Sequence, residues 1–394
     1  MINPQEFRDR MALLQKKVAE QDLDVFLVSQ EESIYYLTGV SYRPLERPFF
    51  ILVWPDHPSV LLVPALEGDH LRAAPNVGAI HTYWDYPSPA GEGYAEKMSD
   101  LLSRITILGV EPGLSQEVAT RLSAHSVVVQ PLIEEMRLVK SHAEVEMIRS
   151  AAHYADEAVR MVIGAAYYGV SELELFSQGR GVQMKIIKEV GYDVLTTNIL
   201  AGAWPAPLSA LPHSVPTVAD RLKEGPHIAL ALMRVNGYAA ECERTFFLRE
   251  PSKESVDAFK TMQEARRKAI TMVRPGASCA DIDCQTKAFL TAEGYGDRLL
   301  HRTGHGFGLG NHEGPWVAEG SQEVLQENML ISIEPGIYLP GVGGVRHSDT
   351  ILVTKDGYES LTKYPTDLEQ VINRGYKPMK RLFGAVTRRV VKIS

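Results

Sequence analysis

At 394 residues the chain is too long for one ordinary core and is expected to form two domains. A hydrophobic content of 45% with 23% charged residues describes a globular chain, and a formal net charge of −8 argues against a general nucleic-acid binder, whose phosphate contacts need the opposite excess. Cys242, Cys279 and Cys284 form no C-x-x-C pair, which argues against a disulfide framework and fits a reducing, cytoplasmic compartment.

In chain order, residues 5 to 21 place Phe7, Met11, Leu14 and Val18 at helical spacing. The opening segment, MINPQEFRDRMALLQKK, lacks the apolar core of a signal peptide, and no later run reaches membrane-span length. DVFLVSQ and SIYYLTG read as short strands, and FFILVWP followed by SVLLVP reads as a hairpin around Asp56, His57 and Pro58. LEGDHLRAA and GYAEKMSDLLSRI read as helices, and ITILGVE and SVVVQPL as further strands. This alternation predicts a small α/β domain with a mixed sheet over residues 1–130.

A second domain is placed over residues 131–394. Ser141 and Glu144 form a capping box, followed by Val145, Ile148, Ala152 and Ala155 at helical spacing. Helices are expected at 171–190, at 253–273 and after Ser278; strands are expected at 227–235, 237–248, 328–333 and 349–354. Helices first and antiparallel-looking strands later imply an α+β domain. The tail KPMKRLFGAVTRRVVKIS is basic and reads as a solvated or subunit-contacting end.

Four polar clusters fall in strand-like or Gly-rich sequence of this second domain. They are LPHSVP with His213, AECERTF with Glu241 and Glu243, HRTGHGFGLGNHEGP with His301, His305, His312 and Glu313, and ISIEPGIYLPGVGGVRHSD with Glu334, Arg346, His347 and Asp349. Glu241 and Glu243 are two apart, so a strand points both to one face, where they grip a metal, grip an organic cation or meet solvent. Glycines beside His305 suit a closely approached backbone. Glu334 ends an apolar strand, and a buried carboxylate there needs a metal, a cation or a proton. His57, His81, His125 and His142 read as structural, and Cys242, between two acids, as a packed side chain and not a nucleophile. GVGGVR lacks the strand and helix context of a phosphate loop. Trp54, Trp84 and Trp204 read as packing residues, while Trp316 follows HEGP closely enough to line a site.

GHGFGLGNHEGP, IEPGIYLPGVGGVRHSD and LPHSVPTVADRLKEG, together with RLVKSHAEVEMIRSA, resemble the creatinase/prolidase superfamily over nearly the whole chain. The resemblance implies a creatinase/prolidase-type N-terminal domain followed by a pita-bread catalytic domain. That family contains metal-dependent Xaa-Pro peptidases, methionine aminopeptidases and metal-free creatinase. Of its five metal ligands, His falls here on His305 and one Glu on Glu334; an Asp is replaced by Glu241, and the remaining two fall on Leu230 and Ser348. ECERTFFL is creatinase-like, whereas NHEGP is prolidase-like and is not shared by creatinase.

The resemblance therefore implies a creatinase-like hydrolase that cleaves a C–N bond in a small guanidino, amidine or amino-acid-derived substrate, with no metal expected. His213, His305 and His312 would be catalytic, with His213 moving the proton. Glu243 and Glu334 would clasp a substrate guanidinium. Arg346 would also bind substrate, and Arg47 would hold a substrate carboxylate from the neighbouring subunit of a homodimer. One alternative is a metal-dependent Xaa-Pro peptidase with a reduced site, in which Glu241, His305 and Glu334 hold a single Mn, Co or Zn ion. The other is an inactive pita-bread binding module. Neither nucleic acid nor membrane is expected as a partner.

Overall fold

The computed structural model describes residues 2–74, 76–122, 126–375 and 377–393, so His125 lies outside the described residues. The chain divides into two compact units, Met1–Arg137 and Leu138–Ser394. The first is a six-stranded mixed sheet with strands β1 (Val25–Val28), β2 (Phe50–Val53), β3 (Val60–Pro64), β4 (Ala79–Tyr83), β5 (Ile107–Val110) and β6 (Ser126–Val129). Their spatial order is β4-β3-β2-β1-β5-β6, with β1, β2 and β3 antiparallel and the outer pairings parallel. Val25, Leu27, Phe50, Leu52, Leu62 and Leu108 form the centre of its core. The helix Pro4–Glu20 buries Met11, Leu14 and Val18, three of the four apolar residues at helical spacing.

Two expectations for this unit are corrected. SIYYLTG is not a strand but part of the helix Glu31–Thr38. Its aromatic residues favour strand, yet Glu31 and Glu32 sit in the first turn, where the helix dipole favours acids, and Gly39 closes the end at φ 69°. LEGDHLRAA forms only two short 3₁₀ turns, Ala65–Glu67 and His70–Ala73, broken at Gly68 and Asp69. Strand β4 escapes a sequence reading because most of its side chains are not buried, which removes the alternation signal.

The second unit begins with the helix His142–Ala165, capped reciprocally by Ser141 and Glu144. Its strands are β7 (Asn198–Trp204), β8 (His227–Val235), β9 (Tyr238–Phe246), β10 (Gly304–Gly306), β11 (Glu313–Val317), β12 (Leu330–Ile333), β13 (Gly336–Leu339), β14 (Gly343–Arg346), β15 (Ser348–Thr354) and β16 (Gly357–Ser360). The main sheet runs β11-β10-β12-β15-β9-β8-β7, with β16 on β15, and β13 and β14 form a separate hairpin. Between β8 and β9, Asn236 and Gly237 take φ 48° and 98°, the two left-handed residues that a tight hairpin needs.

Strand β9 is buried from end to end, so each of its side chains needs a partner on one face or the other. Alternation puts Cys242 and Arg244 on one face and Glu241, Glu243 and Thr245 on the opposite one. Arg244 donates to Asp349 Oδ1 (2.7 Å), and Arg266, from the helix Lys253–Met272, donates to Asp349 Oδ2 (2.6 Å). That charge set ties sheet to helix and is structural. Cys242 is buried on the same face, where burial raises its thiol, as expected of a packed side chain. Among the described residues no helix is long and apolar enough to cross a membrane.

Candidate active site

The opposite face of β9 carries the chemistry. Register places Leu230 of β8, Glu243 of β9 and Ser348 of β15 side by side across three strands. Glu241 is fixed through Thr350: its N–H donates to Thr350 Oγ1 (3.0 Å), and that hydroxyl donates to the Glu241 carbonyl (2.9 Å). Glu334 follows β12 directly, and its N–H donates to the Thr303 carbonyl (2.8 Å). Glu241, Glu243 and Glu334 bring carboxylate oxygens within 4.8 Å of one another.

Three such acids cannot all carry unopposed charge. Glu243 is neutralised from within: Arg346 Nη2 donates to its Oε1 (2.7 Å), and Arg346 Nε closes a second bond to its Oε2. Arg346 Nη1 also donates to the Tyr338 hydroxyl oxygen (3.1 Å). Tyr338 OH lies 2.7 Å from His301 Nε2, and His301 Nδ1 lies 2.7 Å from the Arg302 carbonyl. A carbonyl only accepts, so Nδ1 carries the His301 proton and Nε2 accepts from Tyr338. Burial lowers the His301 pKa and raises that of Tyr338, which keeps both neutral. The expectation that Glu243 and Glu334 clasp a substrate cation is therefore corrected. Glu243 already holds the guanidinium of Arg346, which serves an internal ion pair, and the acids left without such a partner are Glu241 and Glu334.

His305 sits on β10 with its N–H on Ser332 Oγ (2.9 Å). A Cβ at Gly304 would fall 2.0 Å from the Ser332 carbonyl oxygen, and one at Gly306 2.0 Å from that of Gly314, so the flanking glycines are needed for close strand packing. His305 Nδ1 faces the Gly306 carbonyl (3.1 Å) and must carry the proton there. The buried Nε2 lies 3.2 Å from Glu334 and 4.0 Å from Glu241 without an aligned hydrogen bond, and Glu241 Oε1 is likewise unpartnered. A lone pair facing a carboxylate at that distance requires a positive charge, either a proton on Nε2 or a bound cation.

The two acids lean in opposite directions. Burial raises the Glu241 carboxyl, and the charges of Glu334 and Glu243 push it further up. Burial would raise Glu334 too, but His305 above all, with Arg346, outweighs it and brings it down to about 2. His312 stands edge-on to His305 with ring centres 4.1 Å apart, and burial followed by the charge of His305 lowers its pKa to about 4. His213 is exposed, and its charge acts on His301 and His312. Trp316 lies under the Arg302 guanidinium at 4.6 Å. Arg47 belongs to the first unit, where it pairs with Asp85 at 2.9 Å. Tyr338 and Ser332 were not anticipated from sequence.

The donor set fits one divalent cation. Glu241, His305 and His312 bring ligand atoms within 4.8 Å of one another, and unpartnered buried atoms of Glu241 and His305 belong to that set. It does not fit two, since Leu230 and Ser348 flank Glu243 without a carboxylate and Arg346 occupies both Glu243 oxygens. Because burial and the neighbouring acids raise the Glu241 carboxyl, cation binding should release protons and tighten as pH rises. Calorimetric titration with Mn²⁺ in two buffers of different ionisation enthalpy, at about pH 6 and about pH 8, checks this. Affinity that stays flat across that range would remove Glu241 from the ligand set.

The model of metallopeptidase family M24 matches residues 146–355, and that of the creatinase/prolidase N-terminal domain matches residues 10–139. An uncharacterized peptidase of Staphylococcus aureus (strain USA300) is 33% identical over 347 residues, spanning 87% of this chain and 96% of its own. The prolidase of Pyrococcus horikoshii OT3 superposes with a TM-score of 0.79 at 27% identity, covering 91% of this chain and 99% of that one. The Xaa-Pro dipeptidase of Bacillus anthracis superposes with a TM-score of 0.78 at 24% identity, covering 94% and 100%, a likeness of fold alone. The expectation that no metal belongs to the site is not supported, given a metallopeptidase family and a cluster that fits one ion. The chain belongs to metallopeptidase family M24, as a hydrolase with a creatinase/prolidase-type N-terminal domain and a pita-bread catalytic domain.

Proposed function

We propose that this chain hydrolyses the amide C–N bond of a small, dipeptide-sized substrate at a centre holding one positive charge between Glu241, His305 and Glu334. The reading rests on the buried His305 Nε2, unpartnered and 3.2 Å from Glu334. The prolidase likeness, at 27% identity across 91% of the chain, supports a peptidase more than the creatinase-like reaction. A single Mn, Co or Zn ion would be held by Glu241, His305 and His312, beside the Glu334 carboxylate, and when bound would supply Lewis acidity toward a carbonyl. Glu334, ionised under all ordinary conditions, keeps the centre anionic. Tyr338 and His301 fix Arg346 against Glu243, so that this third acid does not compete for the cation. His312, kept neutral, offers a ring nitrogen to that ion, and exposed His213 can carry a proton to the leaving nitrogen.

A second reading is favoured by one observation, the guanidinium of Arg346 seated on Glu243. The same acidic cluster can accept a planar organic cation, so a guanidino or amidine substrate could bring its own charge to Glu241 and Glu334 and need no metal. One panel separates the two. Xaa-Pro dipeptides are assayed with Mn²⁺, Co²⁺ or Zn²⁺, and guanidino acids and cyclic amidines with chelator. Dipeptide turnover that vanishes with chelator supports the first reading, and amidine turnover in chelator supports the second. Absence of both, with no thermal stabilisation by any compound, overturns both and leaves a binding module.

A further inference from the structure

The C-terminal helix Pro378–Val390 is mounted with its polar side against the body of the second unit. Arg388 pairs with Glu174 and donates to Tyr167 OH (3.1 Å). Lys380 Nζ donates to the Gly164 carbonyl (2.7 Å), and Lys377 Nζ, just before the helix, to those of Gly164 and Ala166 (2.9 Å each). Gly384 is the residue pressed closest, since a Cβ there would fall 1.9 Å from a Glu174 oxygen. On the outward side Met379, Leu382, Phe383, Val386 and Val390 recur three and four residues apart, so they share one stripe, and they are 54–73% exposed. Rolling the helix to bury that stripe would break the polar anchors, so its apolar side meets water unless something else covers it.

We propose that this face docks on a lipid bilayer rich in anionic headgroups. Charge decides the occupant. The tail from Lys377 to Lys392 carries Lys377, Lys380, Arg381, Arg388, Arg389 and Lys392 and no acid. Lys377, Lys380 and Arg388 serve as anchors, whereas Arg381, Arg389 and Lys392 are exposed and make no ion pair among the described residues. Arg389 follows Leu382 by seven residues and Val386 by three, so it borders the stripe, and Lys392 stands just past the helix end. A stripe that enters the acyl layer therefore brings cations to headgroup depth, the arrangement of a helix lying in the plane of a membrane surface. A protein partner would be expected to meet hydrogen-bonding groups and charges of both signs. The stripe offers no hydrogen-bonding side chain, and the charges beside it are all positive. The body of the chain is acidic, but at physiological salt its charges act over only about 8 Å, so the local cations govern the contact. The helix also lies outside the matched catalytic domain, which ends at residue 355. The expectation of no membrane partner rested on net charge and span length; neither measures a single outward face, and the mounting of this helix revises it.

The test is co-sedimentation of the full chain with vesicles of phosphatidylcholine alone, or of phosphatidylcholine with an equal part of phosphatidylglycerol, at about 0.05 M and about 0.5 M salt. The wild type should partition onto the mixed vesicles at least about ten-fold more strongly than onto phosphatidylcholine, and high salt should remove most of that preference. L382E/F383E should lower partitioning at least about ten-fold by taking the stripe out of the acyl layer. R381Q/R389Q/K392Q should lower it by about the same factor. All five side chains are exposed, so circular dichroism and melting should not change. A wild type that stays in solution with both vesicles overturns the proposal, as does partitioning that L382E/F383E leaves intact. Equal partitioning onto the two vesicle types overturns it by removing the anionic requirement. A wild type that ignores vesicles, but whose sedimentation changes in L382E/F383E, assigns the face to a protein and overturns the proposal too.

Discussion

Replacing Glu334 by Gln should lower kcat/KM by about a thousand-fold or more, the scale seen when a preorganised charge is taken from a catalytic centre. Gln keeps the shape and can still accept from the Ser332 hydroxyl, which lies 3.3 Å from Oε1. It removes the one acid of the cluster whose carboxyl is held low, at about 2. Stability should fall as well, because His305 and Arg346 hold the Glu334 carboxyl at about 2, below its ordinary value, so its ionised form favours the folded state at neutral pH. Relief of repulsion on the buried Glu241 offsets little of this, since burial already raises that carboxyl toward its neutral form. Steady-state kinetics on the substrate identified by the panel, read beside a melting curve, check both signs. Activity within about ten-fold of wild type would remove Glu334 from the centre, and an unchanged Tm would mean that His305 and Arg346 do not stabilise its charge.

The cost of burying such charges also explains which features could be read from sequence. Residues 5–21 and the capping box at Ser141 carry their own signals, in apolar spacing and in paired local hydrogen bonds, and the helices form there. SIYYLTG misleads because Ile34, Tyr35 and Tyr36 prefer strand locally, while burial of Ser33, Ile34, Tyr36 and Leu37 in a helical arrangement is tertiary. At the site, Glu241, His305, His312 and Glu334 stand out because histidines among glycines and acids in apolar strands are costly unless used. The identity of each partner is another matter. No spacing rule joins Arg346 to Glu243, which lie 103 residues apart and meet only because β14 brings the arginine beside β9. Tyr338 is equally silent as one aromatic in a hairpin strand, until its hydroxyl is found between His301 and Arg346.

The Arg346–Glu243 pair makes the sharpest demand on energetics. Both side chains are buried, at 7% and 2% exposure, so an Arg346→Met substitution would strand a carboxylate that burial already pushes toward its protonated form. The expected cost is about 3–5 kcal/mol of unfolding free energy, measured by urea denaturation of the metal-free protein. A second substitution, Glu243→Gln, removes the stranded charge and should recover most of that loss, because a buried ion pair replaced as a unit costs far less than one broken in half. The cycle also bears on cation number. With Arg346 gone, the oxygens of Glu243 become available beside those of Glu241 and Glu334, so the single variant should bind Mn²⁺ more tightly or in greater number than the wild type. The double variant should return toward one ion. Wild-type protein that binds two ions per chain, or a single variant whose stability is unchanged, would mean that Arg346 is not the charge that silences Glu243. The argument for a one-cation centre would then fail at its physical root.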